Sequence, residues 1–178
     1  SDMKKIGKMD FLQVLNLHKN GLADSDYKAI KDLSSLSQLS LTENKVKTLT
    51  PFKDLKNLQY LTLNFNEIED LTPLADFPKL EYLSLEGNKI RSVEPLKNLT
   101  HVETLVVGQN QIKDLSPLKG LKNLKMINFY TNEVSDLSPL ADLDNLESIY
   151  GQQNQIRDLS PLKDLTKLKD LVVDNNQI

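Results

Sequence analysis

Seven asparagines, Asn44, Asn66, Asn88, Asn110, Asn132, Asn154 and Asn176, follow one another at intervals of 22 residues. A fixed interval of this length marks one supersecondary unit copied along the chain, and stacked copies make a solenoid. The apolar residues keep the same phase. Each of the six full copies carries seven apolar positions, 2, 5, 8, 11, 14, 17 and 19 residues after its asparagine, and of these 42 only Gly151 is not apolar. In the Asn66 copy they are Ile68, Leu71, Leu74, Phe77, Leu80, Leu83 and Leu85. A single amphipathic helix does not hold such a pattern, because turns within the 22 residues reset its period.

Each copy ends in alternation, which argues a short strand: Leu83 and Leu85 face inward, and Tyr82, Ser84 and Glu86 face outward. Beyond the asparagine comes a second signal. Ser116, Ser138 and Ser160 stand before Pro117, Pro139 and Pro161, the pattern of a helix N-cap with proline in the first helical position. Thr50 and Thr72 take the same role, and Glu94 caps more weakly. The remainder of each copy has room for one or two turns of 3₁₀ or α-helix. An inward asparagine amide offers donors and an acceptor to backbone groups of the same turn in neighbouring copies. Asp70, Asp114, Asp136 and Asp158 each lie two residues before a Ser or Thr cap. Local turn hydrogen bonding accounts for them better than a carboxylate stripe for a cation.

The run L-x-x-L-x-L-x-x-N-x-I-x-D-L-S-P-L resembles the bacterial, internalin-type leucine-rich repeat, and is also similar to the short repeats of a phosphatase regulatory subunit. The resemblance covers about residues 12–178. It implies an α/β fold, a right-handed solenoid or horseshoe, with a parallel β-sheet on the concave face and short 3₁₀ or α-helices on the convex face. It says little about the ligand, because such proteins share a scaffold and differ in what they bind.

Residues 1–11 read as a tag remnant (Ser1-Asp2) followed by a polar lead-in, and 12–178 as one repeat domain of about eight strands. Asn20 and Asn44 are 24 residues apart, and the inserted stretch 23–33 predicts a longer helix capped by Asp24 or Ser25. The chain stops two residues after Asn176 without the polar cover a terminal repeat needs. It is therefore expected to be an excerpt of a longer protein, with end-to-end self-association at the bare C-terminal edge as the fallback.

Several function classes recede on composition. A net charge of −3 offers no general attraction for nucleic acid, and no apolar run is long enough for membrane insertion. Cysteine is absent, and the two histidines, His18 and His101, fall on a concave strand and in a back turn several copies away. They are not expected to form a dyad or a metal site, so no catalytic residue, metal or cofactor is assigned.

What remains is the outward side of the strands, 32 positions in four columns. The first column runs Val14, Gln38, Tyr60, Tyr82, Thr104, Met126, Ser148 and Asp170. Four of the five tyrosines fall on this face, joined by Phe65, whereas Lys19 is its only Lys or Arg out of 22. Tyrosine enrichment with lysine depletion suits a protein-binding surface. Strand propensity alone is the competing explanation. The candidate contact residues are Tyr60, Phe65, Tyr82, Glu86, Val106, Met126, Tyr130, Tyr150 and Gln152. Tyr60 and Tyr82 with Phe65 form one expected aromatic wall, and Tyr130 and Tyr150 near Met126 form another. Between them the small residues Thr104, Val106 and Gly108 would floor a shallow trough. Gly151, in an inward position, is expected to yield its volume to Phe129 one strand earlier.

These features predict a module that recognises another protein or peptide. A bacterial surface or secreted protein is favoured over a cytoplasmic one. An intracellular scaffold or enzyme-regulatory subunit is the alternative, and a spacer without a ligand is a third.

Overall fold

The alternating end of each copy forms a three-residue strand whose middle residue enters the core, and the next inward residue follows just beyond it. The computed structural model describes residues 2–178 and contains eight such strands: β1 (Val14–Asn16), β2 (Gln38–Ser40), β3 (Tyr60–Thr62), β4 (Tyr82–Ser84), β5 (Thr104–Val106), β6 (Met126–Asn128), β7 (Ser148–Tyr150) and β8 (Asp170–Val172). They make one parallel sheet in chain order. Register follows the repeat, so that Tyr60 pairs with Tyr82 and Tyr82 with Thr104. The middle residues Leu39, Leu61, Leu83, Leu105, Ile127 and Ile149 are buried, and the flanking residues turn to the opposite side. Pairing continues past each strand: Leu63 N donates to Ser84 O at 2.8 Å and Phe65 N to Glu86 O at 2.7 Å. The outward columns therefore stay aligned beyond the strands themselves.

The chain leaves the sheet through a left-handed residue. Lys19, Glu43, Phe65, Gln109, Thr131, Gln153 and Asn175 have φ between 51° and 56°, and Gly87 holds the same place at 66°. The ladder asparagine follows at once. Asn66 Nδ2 donates to Leu41 O and Leu63 O at 3.0 Å and to Asn64 O at 3.2 Å, and its Oδ1 accepts from Val46 N at 3.0 Å. One side chain thus satisfies backbone groups in two copies that the turn would otherwise strand, each costing about 1–3 kcal/mol if unpaired.

On the convex side the 3₁₀ turns span Thr50–Phe52, Thr72–Leu74, Glu94–Leu96, Ser116–Gly120, Ser138–Leu140 and Ser160–Leu162. Their capping differs from the expectation. The Ser and Thr hydroxyls donate instead of accepting, and the acceptor is the aspartate two residues earlier. Ser116 N and Oγ reach Asp114 Oδ1 and Oδ2 at 2.7 and 2.8 Å, and Thr72 N and Oγ1 reach Asp70 Oδ1 at 2.8 and 2.6 Å. A carboxylate is the stronger acceptor, so it takes the amide and leaves the hydroxyl to act as a second donor. Two copies use a neutral oxygen there: Thr48 Oγ1 accepts from Thr50 N and Ser92 Oγ from Glu94 N, both at 3.2 Å.

The 24-residue copy also departs from expectation. Its helix, α2 after the N-terminal α1 (Asp2–Ile6), covers only Asp24–Tyr27 and passes into a 3₁₀ turn at Lys28–Ile30. Neither Asp24 nor Ser25 caps it. Asp26 accepts from Ala23 N at 2.9 Å, whereas Asp24 Oδ1 turns to Lys47 N and Thr48 N of the next copy at 2.9 and 3.3 Å. Asp24 thereby ties its own copy to the start of the next turn, where Thr48 Oγ1 takes the Thr50 amide. Tyr27 is fully buried, its ring 5.4 Å from that of Phe52, and burial with the nearby Asp26 and Asp24 raises its phenol well above the usual range. Residues 2–6 are helical and bury Met3, so the lead-in is not wholly polar. The volume exchange at Gly151 is present: a Cβ there would meet Phe129 Cζ at 2.7 Å and Cε2 at 2.9 Å. No helix among the described residues is long and apolar enough to cross a membrane.

Candidate protein-binding face

Because Tyr60 and Tyr82 occupy one column of paired strands, their rings come together, with centroids 6.2 Å apart and planes inclined by 29°. Tyr60 keeps 42% of its surface exposed. With Tyr82 half-buried beside it, the stack is an apolar platform with hydroxyl tips.

Phe65 stands at the rim, held in the left-handed conformation and 44% exposed. Its ring lies over Gly87, where a Cβ would press against Phe65 Cδ1 and approach Cε1 to 2.7 Å. Gly108 does the same for Tyr130, whose ring edge would collide with any Cβ at that position. Phe65 comes from the copy before Gly87 and Tyr130 from the copy after Gly108. The two rings therefore lean toward each other over adjacent copies.

Glu86 sits at this convergence. Its carboxylate Oε1 accepts from the Tyr130 hydroxyl, and Gln109 Nε2 approaches both that hydroxyl and, at 3.4 Å, the same Oε1. From beneath, Asn64 Oδ1 accepts from Glu86 N at 2.8 Å and Ser84 Oγ at 2.7 Å. Burial, reinforced by the bond to Glu86, raises the Tyr130 phenol above its ordinary value.

This geometry alters the trough. Tyr130 does not stand as a wall beside Tyr150. With no side chain at Gly108 it lies flat across the expected floor and reaches Glu86 two copies away. The ring pairs among the described residues are Tyr27–Phe52 and Tyr60–Tyr82, so Tyr130 and Tyr150 are not stacked. Val106 is largely covered, at 8% exposure. Met126 and Tyr150 are half-buried on β6 and β7, and Gln152 is half-buried beyond β7, with its Oε1 accepting no hydrogen bond among the described residues.

The remaining polar groups have local partners. His18 Nε2 and Lys19 Nζ lie 3.7 and 3.3 Å from the Glu43 carboxylate. His101 lies in the back turn before β5, beside a cleft lined by Phe77 and Pro78. Asp170 accepts from Ser148 Oγ at 2.9 Å and Asp174 from Asn175 Nδ2 at 2.7 Å. No group of three His, Asp or Glu side chains fit to hold a metal occurs among the described residues. A roomy cleft of about 730 Å³ lies on the back between Lys28, Lys31 and Lys53, away from the tyrosines.

Sequence reasoning missed Gln109 and Asn64, the two polar side chains that hold Glu86. A signal was available: glycines at 87 and 108 stand 22 residues from Phe65 and Tyr130, the same relation that links Gly151 to Phe129. It also missed Phe11, which is 71% exposed just before β1.

The family models described as Leucine Rich repeats (2 copies) and Leucine rich repeat match residues 56–98 with 100–142, and residues 10–68, respectively. Among solved structures, an internalin (InlF) from Listeria monocytogenes is 37% identical with a TM-score of 0.94, over 99% of this chain and 52% of its own. Internalin C2 (InlC2) from the same organism is 32% identical with a TM-score of 0.87, over 93% of this chain and 73% of its own. The chain thus spans about half the length of the InlF structure. The plant peptide hormone receptor RGFR1, solved in complex with RGF2, shares the fold at 24% identity and a TM-score of 0.82, over 97% of this chain and 30% of its own. No match to a curated protein sequence accompanies these likenesses. The repeat, its register and these matches agree: the chain belongs to the leucine-rich repeat family and is of the bacterial internalin type.

Proposed function

We propose that this chain is a non-catalytic recognition module that holds a protein or peptide against its concave face, as part of a bacterial surface or secreted protein. The observation that carries the reading is the stacked Tyr60–Tyr82 pair, Tyr60 exposed and Tyr82 half-buried, on a face whose only Lys or Arg is Lys19. Aromatic side chains that lose little conformational freedom on contact are the usual anchors of protein interfaces, and lysine is depleted there. Their spacing follows from the register, so the face meets a partner as one pre-arranged surface. The RGFR1 complex with RGF2 supports a protein or peptide as the ligand class for this fold. The internalin likenesses support the location.

Affinity capture tests the reading, with the wild-type chain and the Tyr82→Ala/Tyr130→Ala double variant as parallel baits. A partner retained by the wild type and lost by a folded double variant supports the concave site. Equal retention by both baits rejects it.

A further inference from the structure

We propose that the carboxylate of Glu86, flanked by the Phe65 ring over Gly87 and bonded by the Tyr130 hydroxyl, is the seat for a guanidinium or ammonium side chain of the partner. This deepens the function proposed above by naming the chemistry of one anchor.

Three observations combine. The first is charge. Of the acids on the concave face, Glu43 already has Lys19 as a counter-charge, with His18 Nε2 also beside it. Asp170 and Asp174 accept hydrogen bonds from Ser148 and Asn175. Glu86 has neutral donors only, Tyr130 and Gln109, and no Lys, Arg or His within ion-pair distance among the described residues. Elsewhere Glu67, Glu94, Glu103, Glu133 and Glu147 each face a lysine. A partner's cation would supply what lysines of this chain supply for those acids.

The second observation is preorganisation. Both neutral donors approach Oε1, while Oε2 accepts no hydrogen bond among the described residues. The backbone under the carboxylate is pinned by Asn64. A fixed carboxylate with one oxygen open to the concave side binds a cation without first being ordered.

The third is the pair of rings. Phe65 occupies a left-handed position that costs a non-glycine residue of order 1 kcal/mol and leaves a large apolar surface in water. Glycines at 87 and 108 let Phe65 and Tyr130 lie over the copies on which Glu86 and Gln109 stand. Aromatic faces beside a carboxylate attract cations through the ring quadrupole and strip part of their water. Arginine suits the site best, because its planar fork both stacks on rings and bonds a carboxylate.

The test is a nuclear magnetic resonance titration of the whole chain with N-acetyl-arginine amide and, in parallel, N-acetyl-citrulline amide, which has nearly the same shape and no charge. Arginine amide should give saturable shifts at Glu86, Gly87, Gly108 and Gln109. Citrulline amide should bind at least about three-fold more weakly. Glu86→Gln, which keeps an acceptor for Tyr130, should abolish the difference between the two probes with the fold intact. Equal shifts from both probes would overturn the proposal, as would arginine shifts centred on another acid such as Glu81, or an unchanged preference in the variant. Those failures would leave the Tyr82/Tyr130 capture result standing, because that experiment does not depend on partner charge.

Discussion

At the scale of single residues, three glycines do the positioning. Gly87, Gly108 and Gly151 each yield space to an aromatic ring from the neighbouring copy. Two of these exchanges shape the outer face, and the third keeps the core filled. Gly151→Leu forces the new side chain into Phe129 and is expected to lower stability by about 1–3 kcal/mol, read from the urea midpoint. Phe129→Leu combined with Gly151→Leu should recover part of that loss, since the two sites share one volume. The inward exchange was legible in the sequence because Gly151 broke an otherwise unbroken apolar column. The outward pair was harder to see. Outward positions vary freely, so Gly108 read as a small floor residue, and nothing in the sequence told that Tyr130 would lie down on it.

At the scale of the repeat element, the ladder asparagine and the turn aspartate divide the work. The asparagine ties the inner end of the turn to the copy before it, as its hydrogen bonds to both copies show. The aspartate closes the outer end. The hydroxyl and amide of Thr72 hold the Asp70 carboxyl below its ordinary range, and the amide and hydroxyl of Ser116 and Ser160 do so for Asp114 and Asp158. A carboxyl with a lowered folded pKa adds stability above its unfolded value, about 4, and loses it as pH falls through the folded value. Replacing Asp70, Asp114 and Asp158 together by Asn should therefore reduce the wild type's advantage at neutral pH and flatten the decline below about pH 4. Urea midpoints at pH 7 and pH 3 check both halves. Period and phase made these turns readable in outline. The turn hydrogen bonding of the aspartates was expected and is present; the hydroxyl was expected to take the amide because the spacing S-P suits a hydroxyl cap, and only geometry shows which oxygen does so.

At the scale of the whole molecule, a repeat with one register makes a curved body with two unlike surfaces. The back carries lysines paired with acids from adjacent copies, such as Lys47 and Lys89 with Glu67. The concave face carries mostly neutral and aromatic side chains, with a few acids, in straight columns, because parallel pairing brings equivalent residues side by side. The fold was almost wholly legible from the 22-residue period, whereas the face was legible only as a set of columns. Which side chains meet across the columns depends on how far each reaches, and Tyr130 reaches two copies. The central claim is that the columned face, and not the back, is where a partner is held. Surface plasmon resonance on the captured partner tests it most directly, comparing Tyr82→Ala and Tyr130→Ala with Lys119→Ala on the back. The account predicts about a ten-fold or greater loss of affinity for each tyrosine variant and none for Lys119→Ala. Unchanged binding by both tyrosine variants, or a loss confined to Lys119→Ala, would contradict it.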